Sequence, residues 1–158
     1  MPKGSGRREL KLLLNEQERS VWRGLLHAYN ELTRELDLAL RAHHDVPLSS
    51  YEVLAQLYLE PSHRLRLTEL AGRLVFTRSG VTRLIDRLEE QGLVTRCEAA
   101  DDARGVYAVL TDRGLDRFDE GRYTYVAVLR ERFFGRLRDG ELAELDELWT
   151  RLRPPAGQ

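Results

Sequence analysis

The 158-residue chain has one cysteine, Cys97, only two lysines, Lys3 and Lys11, and almost no net charge, with 25 basic against 26 acidic residues. A single cysteine excludes a disulfide framework within the chain and fits a reducing compartment, so the expected location is the cytoplasm. No stretch approaches the roughly 20 apolar residues of a membrane span. No apolar signal region follows the opening Met1-Pro2-Lys3-Gly4-Ser5-Gly6-Arg7-Arg8, so neither membrane insertion nor secretion is expected. The balanced charge argues for neither a polyanion binder nor an acidic tail, and any nucleic-acid role must rest on a local patch. Catalytic signatures are absent as well: there is no G-x-S-x-G, GxGxxG, P-loop or H-E-x-x-H, and no histidine beside an obvious nucleophile. The expectation is a chain that is not an enzyme and takes no cofactor. His43-His44-Asp45 has ligand-type atoms, but adjacent histidines point apart on a helix, where metal pairs stand about three or four residues apart. We read it as a polar helix end, with no metal.

What is present is helical periodicity. Val21, Leu25, Tyr29, Leu32, Leu36 and Leu40 form a stripe that Trp22 and Leu26 widen. Asn15 with Glu18 supplies cap chemistry, and Pro47 closes the region, which predicts a helix near residues 16–43. At about 1.5 Å per residue such a helix runs roughly 40 Å, more than so small a domain covers, and this implies that a second subunit meets part of its stripe. Ser49-Ser50-Tyr51-Glu52 reads as a capping box opening a short helix that ends at Pro61. Thr68 is expected to cap a helix over 69–74, and Val75-Phe76-Thr77 to turn into a helix over 78–91, whose apolar face is Val81, Leu84, Ile85 and Leu88. Gly92 is the expected stop. Two short helices joined by a tight turn read as a helix-turn-helix. The period then becomes strand-like over 94–98 and 106–110 around a polar tip at 99–105, which predicts a two-stranded hairpin. Thr111 can cap a helix reaching about Leu137, Asp139 a last one carrying Leu142, Leu145, Leu148, Trp149 and Leu152, and Pro154-Pro155 ends it. The fold class is therefore mainly α with a small β-hairpin wing (α+β). It divides into a basic tail over 1–15, dimerisation helices over 16–46 and 115–153, and a winged helix-turn-helix over 48–113.

Residues 64–87 hold six arginines against Glu69 and Asp86, so the positive charge is concentrated on the helix-turn-helix. In this motif the N-terminal residues of the second helix meet base edges in the major groove. Arg78, Ser79, Thr82 and Arg83 occupy that end, opposite Leu84, Ile85 and Leu88, and Gly80 permits a close approach. Arg83 is the candidate base reader, because a guanidinium takes guanine O6 and N7 bidentately, with Ser79 and Thr82 at phosphates or base edges. Arg87 would touch phosphate or pair with a carboxylate. A hairpin directly after the second helix is the arrangement of a winged helix, whose tip arginine, here Arg104, can enter the adjacent minor groove.

Over about residues 16–152 the sequence resembles the MarR family of bacterial transcriptional regulators. The resemblance rests on Leu67-Thr68-Glu69-Leu70-Ala71, on the run from Ser79-Gly80-Val81-Thr82-Arg83 to Gln91-Gly92-Leu93-Val94-Thr95-Arg96, on Asp101-Asp102-Ala103-Arg104, and on Val109-Leu110-Thr111-Asp112-Arg113-Gly114. It implies a homodimer whose terminal helices intertwine, double-stranded DNA bound at an imperfect palindrome, and repression relieved by a small molecule or an oxidant. The wing tip departs from the family in carrying Ala103 beside a single Arg104. Cys97 lies in the first wing strand rather than near the start of the first helix, where the peroxide-sensing branch keeps its thiol, so it reads as a small strand residue. The resemblance further implies an aromatic or phenolic effector near the first, second and fifth helices. The candidate contacts are Trp22, Leu26, Tyr29, Arg41, His44, Tyr51 and Leu54, residues that core and interface packing accounts for equally well. Two other functions fit the same residues: a winged-helix module that docks proteins, and a ligand-binding protein without specific DNA binding. Salt-sensitive DNA binding separates regulation from the first, and reciprocal coupling of ligand and DNA from the second.

Overall fold

The computed structural model describes residues 13–74, 77–99 and 102–152, except for the side chains of 78, 99 and 102–104. Residues 1–12 of the basic tail, the turn residues Val75 and Phe76, and Pro154-Pro155 lie outside the described residues. The elements in order are α1 (Glu16–His44), α2 (Leu48–Leu59), β1 (Arg64–Arg66), α3 (Leu67–Arg73), α4 (Arg78–Glu90), β2 (Val94–Ala99), β3 (Asp102–Leu110), α5 (Asp112–Arg132), a 3-10 turn (Phe134–Arg136) and α6 (Glu141–Leu152). None of the described helices is long and apolar enough to cross a membrane.

By internal contacts the chain divides into two units at residue 34. In the first, α1 starts on a reciprocal capping box: the Glu18 N–H donates to Asn15 Oδ1 at 2.8 Å, and the Asn15 N–H to Glu18 Oε2 at 2.7 Å. This confirms the cap read from Asn15 and Glu18. The apolar stripe of this unit, from Leu13 and Leu14 through Val21, Trp22, Leu25 and Leu26 to Tyr29, is exposed throughout.

The second unit holds the core. Leu40, Val53, Leu54, Leu57, Leu70, Ile85 and Leu88 are wholly buried, and Leu65 of β1, Val94 of β2 and Ala108 of β3 close over them. The two strands expected here are in fact three, in the antiparallel order β1-β3-β2, with Leu65 opposite Ala108 and Arg96 opposite Ala108 from the other side. Three residues are too few for an alternating pattern to show, which is why β1 escapes a sequence reading. The hairpin strands also run further toward the tip than expected, to Ala99 and back from Asp102, with a register shift between Glu98 and Ala99.

Several expected helix boundaries move for physical reasons. The Ser49 capping box does not form, because α2 already starts at Leu48 behind Pro47 and has no side-chain cap. Asp37 of α1 takes its place by accepting the Leu48 N–H at 2.8 Å. Thr68 lies inside α3 rather than capping it, since extended Arg66 ends β1 and the helix begins at once. The helix capped by Thr111 stops at Arg132 instead of reaching Leu137: Phe133, at φ −125 and ψ −70, leaves the helical region before the 3-10 turn. The last helix begins at Glu141, after Gly140 at φ +89, so Asp139 lies too far upstream to cap it. Where expectation and structure agree, the chemistry is local. Gly92, at φ +68, lets its own N–H reach the Glu89 carbonyl and the Leu93 N–H reach the Leu88 carbonyl, which ends α4 and turns the chain into the wing.

Candidate nucleic-acid interface

The second helix of the motif, α4, begins at a capped terminus. Thr77 Oγ1 accepts the Gly80 N–H at 3.1 Å and lies 3.2 Å from Ser79 Oγ, which makes Thr77 the N-cap rather than a plain turn residue. Val81, Ile85 and Leu88 face inward, and Leu84 is half-buried. Ser79, Thr82, Arg83 and Arg87 are exposed, so the structure brings together on the solvent side the residues chosen as DNA contacts, with Gly80 half-buried at the first turn. The guanidiniums of Arg83 and Arg87 make no ion pair among the described residues, and the pairing considered for Arg87 does not occur there. The side chains of Arg78 and Arg104 lie outside the described residues; their backbones belong to the start of α4 and to β3. The exposed first turn of α4, with guanidiniums that make no ion pair among the described residues, carries positive potential and suits an anionic partner.

The Arg96 guanidinium is engaged through both of its terminal nitrogens. Arg96, on the inward face of β2, donates from Nη2 to Asp86 Oδ1 at 2.5 Å and to the Thr82 carbonyl at 3.5 Å, and from Nη1 to Glu89 Oε2, while its backbone N–H reaches Glu89 Oε1 at 3.0 Å. Burial alone would lower the Arg96 pKa, but the bonds to Asp86 and Glu89 outweigh it and hold it above the ordinary arginine value. The sequence reading passed over this contact. Its partners stand seven and ten residues away across a chain reversal, and no periodicity reports such a pair. On the outer sheet face Tyr107 lies between Arg64 and Arg66, whose guanidinium carbons sit 5.2 and 5.4 Å from the ring centre, and its hydroxyl accepts from Arg66 Nε at 3.1 Å.

The seven effector candidates occupy different settings. Trp22, Leu26 and Tyr29 are exposed, and Trp22 borders an open hollow of about 600 Å³ with Leu14, Asn15, Glu18, Val21 and Leu25. Arg41 is exposed and bonded through Nε to Asp37 at 2.6 Å. His44 Nε2 lies 2.7 Å from Thr124 Oγ1, and the His44 carbonyl accepts from Arg117, so this residue ties the end of α1 to α5. Leu54 is core. Tyr51 is buried with its ring stacked on Phe118 and Tyr125; burial, with Tyr125 beside it, pushes its phenol up to about 12. Among the described residues no three His, Cys, Asp or Glu side chains are grouped to hold a metal. Cys97 is exposed on the outer sheet face, opposite Tyr107.

A family model described as "MarR family" matches residues 44–105. Among solved structures, Sco3205, a MarR family transcriptional regulator from Streptomyces coelicolor in complex with DNA, superposes with a TM-score of 0.84 at 32% identity, covering 92% of this chain and 94% of that one. AbsC, a MarR family transcriptional regulator from the same organism, gives a TM-score of 0.82 at 30% identity, over 88% of this chain and 93% of that one. A curated relative, the HTH-type transcriptional repressor YetL of Bacillus subtilis, is 30% identical over 105 residues. That match spans 65% of this chain and 63% of YetL, a little under two thirds of the relative's length.

Proposed function

The chain belongs to the MarR family of transcriptional regulators, and from that premise we propose that it acts in the cytoplasm as a homodimeric repressor, binds a palindromic operator through α4, and is released by a small aromatic ligand. The observation that carries the DNA-binding role is the exposed stripe Ser79, Thr82 and Arg83 at the capped start of α4, in a cationic segment of a nearly neutral chain. Arg83 is assigned to a base edge, Ser79 and Thr82 to phosphates or base edges, and Arg78 and Arg87 to phosphates. Gly80 lets the duplex approach, and Arg104 is assigned to the minor groove beside the wing.

Two independent features support a dimer. None of the twelve residues of α6 is buried, although the helix carries Leu142, Leu145, Leu148, Trp149 and Leu152. The first unit leaves its own apolar stripe in solvent, with Val21 67% exposed. Exposed apolar area of this extent on two helices is the signature of an interaction surface, and two-fold helix-turn-helix proteins place their reading helices about 10 base pairs apart. For the ligand, the support is the aromatic surface of Trp22 and Tyr29 and the hollow beside Trp22.

The test is selection of bound sites from a random duplex library at two salt concentrations, with Arg83→Ala as control. The expected result is an enriched palindrome whose binding weakens steeply with salt. Arg83→Ala should lose roughly 1–3 kcal/mol and relax preference at one position of each half-site. Selection of nothing by a folded dimer would overturn the DNA-binding role, and an equal loss on every sequence would overturn the assignment of Arg83.

A further inference from the structure

We propose that Arg96 serves as a cover for Asp86 and Glu89, two of the carboxylates on the C-terminal half of α4, and so lowers the negative charge that this half of the helix presents to phosphates. The inference rests on α4 being the DNA-facing helix. Ser79, Thr82, Arg83, Asp86 and Glu90 recur at helical spacing and therefore share one face, with Glu89 at its edge; Glu90 makes no ion pair among the described residues, so the cover concerns Asp86 and Glu89. Both carboxylates remain substantially open to solvent, at 54% and 39% exposure. Left alone, they would place two negative charges within a screening length of about 10 Å from the phosphates that Arg83 and Arg87 approach.

The fold supplies the counter-charge. Gly92 reverses the chain after α4, and β2 returns with the parity that puts Val94 and Arg96 on the inward face. The guanidinium thereby reaches back over the helix end and bonds both carboxylates at once, and the Arg96 backbone N–H holds Glu89 from behind. At 27% exposure Arg96 is less open than either partner, and its two terminal nitrogens are spent on them. It is a positioning and shielding residue, not a DNA contact. Binding that depends on Arg83 and Arg87 is thus supported by a third arginine that never touches the duplex.

A mutant cycle tests this, using full-length wild type, Arg96→Met, Asp86→Asn/Glu89→Gln, and the triple variant. Each is titrated with the duplex that wild type enriches from the random library, after circular dichroism and light scattering have compared fold and assembly. The expected loss from Arg96→Met is about tenfold or more with the native carboxylates and about threefold or less once both are amides, because nothing then needs covering. Arg96→Lys, which can satisfy one carboxylate, is expected to fall between, and it carries the test if the methionine variant fails to fold. Equal losses in the two backgrounds would make Arg96 a direct contact or a purely structural residue and overturn the inference, as would an unimpaired Arg96→Met. Failure of wild type to enrich any duplex would instead overturn the DNA-binding role on which the inference stands.

Discussion

Replacing Gly114 by alanine should destabilise this protein even though alanine is the better helix former. Gly114 lies in the first turn of α5, and a Cβ there would stand 2.0 Å from the Leu93 carbonyl oxygen and 2.8 Å from Leu110 Cδ1. Relief requires a shift of about 1 Å or more between two backbone segments, since overlap with a carbonyl cannot be resolved by a rotamer change. The segments involved are held by specific bonds. The Thr111 N–H donates to that same Leu93 oxygen at 3.2 Å, Thr111 Oγ1 donates to the Gly92 carbonyl at 2.8 Å, and the Gly114 N–H donates to Thr111 Oγ1 at 3.0 Å. Overpacking costs about 1–3 kcal/mol, one or two weakened hydrogen bonds add about 1 each, and helix propensity returns about 1, for a net loss of about 1–4 kcal/mol. Urea unfolding at fixed protein concentration measures it. Gly72→Ala in α3 is the matched control, because Gly72 is exposed and, beyond its own helix backbone, no described atom lies within 4 Å of its would-be Cβ, and it should gain up to about 1 kcal/mol. Equal stability of Gly114→Ala and wild type, or a shift of both variants in the same direction, would refute the packing argument.

Three further outcomes are expected. Burial alone would raise the Asp37 pKa, but the bonds from Arg41 and the Leu48 N–H hold it below its ordinary 3.8, so its stabilising contribution is present above 3.8 and is lost as pH falls through the depressed value. Acid titration of unfolding free energy should therefore show a shallower fall below that pH for Asp37→Asn than for wild type. Thr77→Ala removes the N-cap of α4 and should cost about 1 kcal/mol of stability, together with DNA affinity, because Ser79 lies in the turn that frays; thermal unfolding and duplex titration check the two effects. Trp149→Glu places a charge on the apolar face of α6 and should weaken self-association about tenfold or more in sedimentation, while the far-ultraviolet spectrum is retained.

Much of α4 was legible because its signals are local. Val81, Ile85 and Leu88 fall at helical spacing, Gly92 stands where the chain must take a positive φ, and the exposed face then follows from the buried one. The cap at Asn15 and Glu18 was legible for the same reason, since both partners lie within one turn. Ser49 and Thr68 misled because the same cap chemistry can be displaced by a distant group. Asp37 reaches Leu48 from eleven residues away, and β1 runs directly into α3. The strand β1 is recognisable only once β3 stands beside it to pair with Arg64, Leu65 and Arg66.

Composition and periodicity by themselves determined the helical class, the winged helix-turn-helix order, the cationic segment over 64–87 and the absence of catalytic motifs, because each depends on residues close together in the chain. Tertiary structure alone decided which arginines of α4 and the wing pair with carboxylates. Arg83 and Arg87 are left exposed without an ion pair among the described residues, whereas Arg96 is drawn onto Asp86 and Glu89 by the reversal at Gly92. A guanidinium's partner depends on which carboxylates the folded chain brings within about 4 Å, a distance that sequence separation does not report.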